Sequence, residues 1–236
     1  MGPLEAFQWG VFYDMTLTME SENRNLLMEG AEAFGIRLNQ KQVEGFDLYL
    51  RELLKWNEKI NLTAIRSEKG IVLKHFLDSL SVYPYLSKTV SLLDIGSGAG
   101  FPGIPLRIVQ PSLEITLIDS VRKKVDFQKH ILRMLGLKET QAIHGRIQDK
   151  EILRSMTGRF DTVISRAFSD LQALLLLAFP FLKKGGILLA MKGELEKEEI
   201  RLFSKAEETR YRLQRTASFF LPSSSFKRSI LLFEKG

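Results

Sequence analysis

The stretch LLDIGSGAGFPGIPL, from Leu92 to Leu106, constrains the fold of this chain more than any other part of the sequence. An apolar run that contains one acid leads into four glycines within eight positions, with two prolines close by. Glycine permits positive φ angles and close approach to the backbone, and proline suits the first turn of a helix. Two glycines would be enough for a tight strand-to-helix turn. Four therefore favour a ligand bound at the carboxyl end of a parallel strand.

The sequence on either side of this stretch predicts two kinds of structure. Between about residues 22 and 88, apolar residues recur three or four apart, which predicts a helical region. From about residue 90, short runs of β type alternate with amphipathic helical patterns, and this order predicts a parallel sheet. The predicted parallel strands are residues 90–95, 114–120, 140–145, 160–167 and 186–193.

The end of the chain predicts a β-hairpin. After a charged segment, 194–210, that is predicted to be helical, two further strand patterns occupy 211–221 and 228–236. The connection between them is too short for a crossover helix, so the pair should be antiparallel. The sheet would then have seven strands.

Two overlapping glycine spacings favour different cofactors. The GxGxxG spacing that begins at Gly98 is the dinucleotide fingerprint, whereas the GxGxG spacing that begins at Gly96 suits S-adenosylmethionine. Asp119, at the end of the second predicted strand, can bond the ribose hydroxyls of either cofactor. Asp94 can reach the ammonium of S-adenosylmethionine, but its carboxylate would repel a pyrophosphate. We therefore expect S-adenosylmethionine as the cofactor.

These patterns together predict an α/β, Rossmann-like fold of the class I methyltransferase type. Its sheet would have seven strands, mostly parallel with an antiparallel last strand, and an N-terminal helical region would precede it. We predict an N-terminal extension at 1–21, the helical region at 22–88 and the S-adenosylmethionine-binding domain at 89–236.

Composition limits the class of protein and its partners. The chain has no cysteine, and its three histidines are scattered, so we expect no metal site. The longest apolar run, 171–182, is shorter than the roughly 20 residues that span a bilayer, and we expect a cytoplasmic monomer without a membrane segment. A net charge of +6 and a pI near 9.4 suit a polyanionic partner, or simply a basic soluble protein.

Six motifs occur in order along the chain: LLKWNEKINLTAI, HFLDSL, LLDIGSGAGFPGIPL, LIDSVRKKVDF, VISRAF and MKG. Together they resemble the glucose-inhibited division protein B family, the guanine-N7 methyltransferases of bacterial 16S ribosomal RNA, from about residue 25 to 235. The resemblance implies methyl transfer from S-adenosylmethionine to N7 of a specific guanine. It also implies that the partner is 16S rRNA or the small ribosomal subunit.

The resemblance also implies which residues contact the cofactor: Gly96, Phe101, Ile147, Gln148 and Arg166. The family often has an acid where this chain has Gln148, and an amide can still bond the edge of an adenine. We add Asp94, Gly98 and Asp119 to this set from their positions around the glycine stretch.

Four residues are candidates for positioning the target guanine: Arg166, Lys192, Asn61 and His75. Arg166 ends an apolar strand, where an unpaired guanidinium is costly, so it either binds an anionic ligand or forms a structural ion pair. Lys192 ends the fifth predicted strand and is either functional or a solvated turn residue.

The helical region contains the remaining candidates. Asn61 and Thr63 either face the cofactor or RNA, or simply end a helix and cap it locally. His75 and Asp78 share one helical face, which fits either catalysis or a local hydrogen bond. Trp56 is expected in the core.

Seven basic residues are predicted to rim a phosphate-binding face: Arg122, Lys123, Lys124, Lys183, Lys184, Lys227 and Arg228. Two alternative functions remain open from the sequence. One is a nicotinamide-dependent oxidoreductase, and the other is a non-catalytic RNA-binding protein with a cofactor-binding fold.

Overall fold

The computed structural model describes residues 18–166, 168, 170–195 and 211–236. Within these residues the α-helices are α1 (Ser21–Glu32), α2 (Gln40–Ile60), α3 (Glu68–Ile71), α4 (Asp78–Leu80), α5 (Gly103–Val109), α6 (Arg122–Met134), α7 (Lys150–Met156) and α8 (Leu171–Ala178). A π-helical stretch, Val72–Leu77, joins α3 to α4. Short 3₁₀ turns lie at Tyr83–Tyr85 and Phe179–Phe181.

The strands form one seven-stranded sheet. They are β1 (Ser91–Ile95), β2 (Glu114–Asp119), β3 (Thr140–His144), β4 (Phe160–Arg166), β5 (Leu182–Lys192), β6 (Tyr211–Phe220) and β7 (Lys227–Lys235). Their order is β3-β2-β1-β4-β5-β7-β6, and β1 to β5 pair in parallel. The last strand, β7, is antiparallel to both β5 and β6. The predicted fold class is therefore confirmed.

The N-terminal helices cover one face of the sheet. The long helix α2 begins at a capping box, in which Asn39 and Gln42 exchange side-chain-to-backbone hydrogen bonds. Buried residues of the helices, such as Phe46 and Phe76, belong to the same apolar cluster as Ile164 and Ile230 of the sheet. A second cluster, which includes Leu174 of α8, covers the other face. The predicted domain division near residue 88 thus coincides with a change of secondary structure inside one continuous core, and it stays a prediction.

Two predicted elements differ from the structure. The apolar helix ends at Ala178, because proline at position 180 cannot donate to the helical ladder, and β5 begins at Leu182 rather than at residue 186. The charged helix predicted at 194–210 falls almost entirely outside the described residues, as do the first 17 residues of the predicted extension. None of the described helices has the length and apolar character needed to cross a membrane.

Candidate active site

A cavity of about 580 Å³ opens at the carboxyl edge of the sheet, where β1, β2 and β3 end. Its lining includes four of the predicted cofactor residues: Gly96, Asp119, Ile147 and Gln148. The carboxyl ends of parallel strands meet at the same edge, so residues that are far apart in sequence converge there. The cavity is the place where this fold is expected to bind a cofactor.

Gly96 and Gly98 shape the loop after β1. Their φ angles are 69° and 60°, in the left-handed region that strains residues with a side chain. A Cβ atom added to either glycine would meet no atom within 4 Å, so space is open beside the backbone. Gly103 differs, because a Cβ there would lie 2.3 Å from Leu117. Gly103 therefore serves helix-to-strand packing, whereas Gly96 and Gly98 leave room for a ligand.

Side chains from three elements hold the glycine loop in place. The backbone N–H of Gly98 donates to Oδ2 of Asp119 over 2.8 Å. Nε2 of Gln128 donates to the carbonyl of Gly98 over 2.6 Å. The hydroxyl of Tyr49, on α2, donates to the carbonyl of Ala99 over 2.6 Å. The loop is thus fixed before any ligand arrives, which lowers the cost of binding.

Two residues that contact this loop, Tyr49 and Gln128, are not among the site residues predicted from the sequence. Gln128 is fully buried on the side of α6 that also presents Val125 and Ile131. A polar residue at an apolar position of an amphipathic helix is a signal that could have found it. Tyr49 gives a weaker signal, because a tyrosine at a core position usually needs only one hydrogen-bond partner.

A second group of polar side chains lies beside the loop, between β4 and the helical region. Nη1 of Arg166 donates to the carbonyl of Lys74 over 3.0 Å and lies 3.3 Å from Oδ2 of Asp78. Nη2 of Arg166 lies 3.2 Å from Nδ1 of His75. The guanidinium carbon is 5.2 Å from the centre of the Phe101 ring. Arg166 therefore has the structural ion pair that the sequence left open, and one-fifth of its side chain remains exposed.

His75 is buried within this group. Arginine has no acceptor, so Nδ1 accepts from Arg166 and Nε2 donates to Oγ1 of Thr63 over 2.8 Å. The ring stacks on Phe101 with centres 4.5 Å apart. Burial and the neighbouring Arg166 charge lower the pKa of His75 to about 3, so the ring is neutral at neutral pH. Among the described residues, no cluster of three His, Cys, Asp or Glu side chains could hold a metal.

Comparisons with known proteins identify the family. The family model of rRNA small subunit methyltransferase G matches residues 42–228. Ribosomal RNA small subunit methyltransferase G from Geobacter metallireducens is 43% identical over 215 residues, which are 91% of this chain and 97% of that protein. The protein of the same name from Acetivibrio thermocellus is 39% identical and covers 92% of this chain and 90% of its own length. This chain belongs to the rRNA small subunit methyltransferase G family.

A solved structure supports the fold assignment. A SAM-dependent methyltransferase from Aquifex aeolicus matches with a TM-score of 0.52 at 16% identity, and the match covers 69% of this chain and 92% of that chain. Membership of the rRNA small subunit methyltransferase G family favours neither the oxidoreductase nor the non-catalytic alternative that the sequence left open.

Two residues that were predicted to contact the cofactor, Asp94 and Phe101, have buried side chains. Asp94 is fully buried, and its Oδ2 accepts from the N–H of Gly103 over 2.9 Å. Burial raises the pKa of Asp94 well above its usual range. Asp94 does not line the cavity, and its contact with the cofactor ammonium, directly or through water, stays a prediction. The Phe101 side chain is packed between Tyr49 and His75, so a cofactor contact is restricted to its backbone.

The candidates for positioning the guanine in the helical region have structural roles. Both ring nitrogens of His75 are engaged, so the buried ring offers no free polar edge to a guanine. Asn61 follows the last residue of α2 in the left-handed conformation, with φ of 40°. This agrees with the interpretation that Asn61 ends the helix. Thr63 also accepts from the N–H of Ile65, which is a local role. Contact between the exposed Asn61 and RNA stays a prediction.

Lys192 and Trp56 lie where the sequence places them. Lys192 is the last residue of β5, at the carboxyl edge, and it is half-buried. Its part in binding stays a prediction. Trp56 packs against Phe127 and His130, with ring centres 5.5 and 5.1 Å away, and so belongs to the edge of the core.

The seven predicted basic residues do not share one face. Five lie at the carboxyl edge, either at the start of α6 or at the start of β7: Arg122, Lys123, Lys124, Lys227 and Arg228. Lys183 and Lys184 lie at the amino end of β5, where Nζ of Lys183 is 2.7 Å from Oδ1 of Asp161. They are at the opposite edge from the cavity and cannot rim it. The predicted strand, 186–193, begins after both lysines, so the sequence already places them at the amino end of β5.

Proposed function

We propose that this protein transfers a methyl group from S-adenosylmethionine to N7 of a specific guanine in 16S rRNA, and that it works in the cytoplasm. The main support is one cavity on which several predicted cofactor residues converge: the open glycine loop, Asp119, Ile147 and Gln148. Family membership supports the RNA substrate, because the relatives are named for the small-subunit rRNA. The choice of N7 rests on the family resemblance that the sequence motifs carry.

The residues around the cavity fit the cofactor. The open space beside Gly96 and Gly98 accommodates a chain that passes close to the backbone. Asp119 ends β2, and each of its oxygens accepts one backbone N–H, so each keeps acceptor capacity for a ribose hydroxyl. Ile147 and Gln148 follow β3 and are suited to the face and edge of an adenine. When bound, S-adenosylmethionine supplies an electrophilic methyl group.

The remaining task of the protein is to align the guanine. N7 of guanine carries an exposed lone pair and no proton at neutral pH, so nothing has to be removed before it attacks. Alignment of two reacting groups can supply about 7 to 11 kcal/mol of the barrier. Arg166 and Lys192 lie at the carboxyl ends of β4 and β5, the two strands that follow β1 in the sheet, where they can contact the RNA.

We expect the methyl-transfer step to be nearly independent of pH. With its pKa lowered to about 3, His75 stays neutral throughout the range from about pH 6 to 8.5 and cannot give a titration there. His75→Gln should keep the single-turnover rate within about tenfold of wild type, below the 10²-fold that lost acid–base catalysis typically costs. A rate that rises tenfold per pH unit in wild type, and flattens in His75→Gln, would contradict this mechanism.

The function is tested by mapping methylated bases. The purified protein is incubated with radiolabelled S-adenosylmethionine and with 16S rRNA or small ribosomal subunits from a strain lacking the protein. We expect one labelled 7-methylguanine in the RNA. Mass spectrometry of rRNA from that strain should show the same base unmodified. Label at another atom, or no label on either substrate, would contradict the proposal.

A further inference from the structure

One carboxylate, that of Asp78, holds two arginines. Oδ2 of Asp78 lies 3.3 Å from Nη1 of Arg166, and Oδ1 accepts from Nε of Arg228 over 2.8 Å. Asp78 is 5% exposed, whereas about one-fifth of each arginine side chain remains exposed. The arrangement therefore fixes two guanidiniums side by side at the surface of the protein.

The sheet places both arginines on the same face. Side chains alternate between the two faces along a strand, so Arg166 shares its face with Ile164, and Arg228 shares its face with Ile230. Both isoleucines belong to the apolar cluster beneath the N-terminal helices. Asp78 begins α4 on that face, at the point where the two guanidiniums converge. Three elements that are distant in sequence thus build this group.

Positive charge exceeds negative charge in this group. Two guanidiniums share one carboxylate, and His75 beside them is neutral at neutral pH because its pKa is lowered to about 3. No described residue accepts a hydrogen bond from Nη2 of Arg228, whose Nη1 donates to the carbonyl of Lys227. A partly exposed cation pair with a donor nitrogen that no described residue engages is suited to a further anion. Two neighbouring guanidinium groups can each donate two parallel N–H hydrogen bonds, a geometry that matches the oxygens of a phosphate.

The position of Arg228 favours RNA over the cofactor as the source of that anion. The cavity lies at the ends of β1, β2 and β3, and β7 is three strand spacings beyond β1 in the sheet. At about 4.8 Å per spacing, this places β7 about 14 Å from β1. A cofactor seated against the glycine loop would therefore leave Arg228 free for the substrate.

We propose that Arg228 binds a backbone phosphate of the RNA substrate and that Asp78 is the positioning residue that aligns Arg228 with Arg166 for this contact. The inference rests on the proposed function and adds the part of the surface that holds the RNA. Arg228 contributes affinity and register, and it takes no part in the chemical step.

The test uses the full-length protein and small ribosomal subunits from a strain that lacks it. Subunit affinity is measured from about 50 to 200 mM KCl for wild type, Arg228→Gln, Arg228→Lys and Arg212→Gln. Arg212 is the matched control, because it is an exposed arginine of the same hairpin at the opposite end, paired with Glu234. S-adenosylhomocysteine binding, methyl transfer and thermal melting are recorded for each protein.

We expect Arg228→Gln to bind subunits about tenfold more weakly and to lose about 0.7 to 0.9 from the slope of log affinity against log salt. Its KM for subunits should rise while kcat and S-adenosylhomocysteine affinity stay within about twofold, since a phosphate contact is made equally before and in the transition state. Arg228→Lys keeps the charge and should keep the slope of log affinity against log salt. If Arg228→Gln fails to fold, the lysine variant still tests whether the charge at this position sets the slope.

Three results would contradict the inference. An Arg228→Gln variant that matches Arg212→Gln in affinity and slope, beside an active wild type, would overturn this inference alone. Weaker S-adenosylhomocysteine binding with unchanged subunit binding would assign Arg228 to the cofactor carboxylate instead. A wild-type protein that neither binds nor methylates subunits or 16S rRNA would contradict the proposed function, and this inference with it.

Discussion

Gly96→Val is expected to abolish cofactor binding while leaving the protein folded. The new side chain would occupy the open space beside the loop, where the structure has no atom within 4 Å of a Cβ. A cofactor bound as proposed would fill this space, so the overlap should weaken S-adenosylhomocysteine binding by at least about 100-fold. The φ of 69° adds a conformational cost of about 1 to 2 kcal/mol to the folded protein. Isothermal titration calorimetry measures the affinity directly.

Gly158→Val is the matched control for the backbone strain that Gly96→Val introduces. Gly158 has φ of 68°, and a Cβ there also meets no atom within 4 Å. It lies in the turn before β4, at the amino edge of the sheet and away from the cavity. Both variants should lose a similar amount of thermal stability, but only Gly96→Val should lose the cofactor. Equal cofactor affinity in the two variants would show that the space beside Gly96 is not part of the site.

The sequence predicted where the cavity lies because the relative direction of the strands can be inferred from local patterns. Alternation of strand and helix implies parallel strands, and parallel strands gather their carboxyl ends at one edge. Asp119 lies at the end of a predicted strand, and Gly96, Ile147 and Gln148 follow predicted strands, so their convergence needed no knowledge of packing. The same logic identified the antiparallel hairpin from the length of its connection.

Local patterns could not predict how deeply a side chain is buried, or which residues distant in sequence it contacts. Asp94 precedes the glycines by two positions, but spacing does not say that its carboxyl points beneath the loop rather than into the cavity. The Asp78 and Arg228 pair spans 150 positions of sequence, and only the pleat of β7 and the course of the helical region bring the two together. His75 is a candidate because of its residue type, but the sequence does not show that the ring is buried or that both of its nitrogens have hydrogen-bond partners.

Asp119→Ala should weaken S-adenosylhomocysteine binding by about 1.5 to 3 kcal/mol, the range for hydrogen bonds to a charged group. Two causes contribute to this loss. The carboxylate is expected to accept the ribose hydroxyls, and it already accepts the N–H groups of Gly98 and Val121 over 2.8 Å each. The variant therefore loses a ligand contact and also loosens the glycine loop, so affinity alone does not separate the two roles.

An analogue of the ligand without the ribose hydroxyls separates them. Wild type should bind S-adenosylhomocysteine about 10- to 150-fold more tightly than its 2′,3′-dideoxy analogue, whereas Asp119→Ala should bind the two about equally. Gln128→Ala is the control for loop anchoring, because Gln128 holds the carbonyl of Gly98 from the buried side. This variant should bind both ligands more weakly yet keep the wild-type preference for the hydroxyls. If Asp119→Ala also kept that preference, its carboxylate would act only through the loop, and the ribose would have to be bound by another residue.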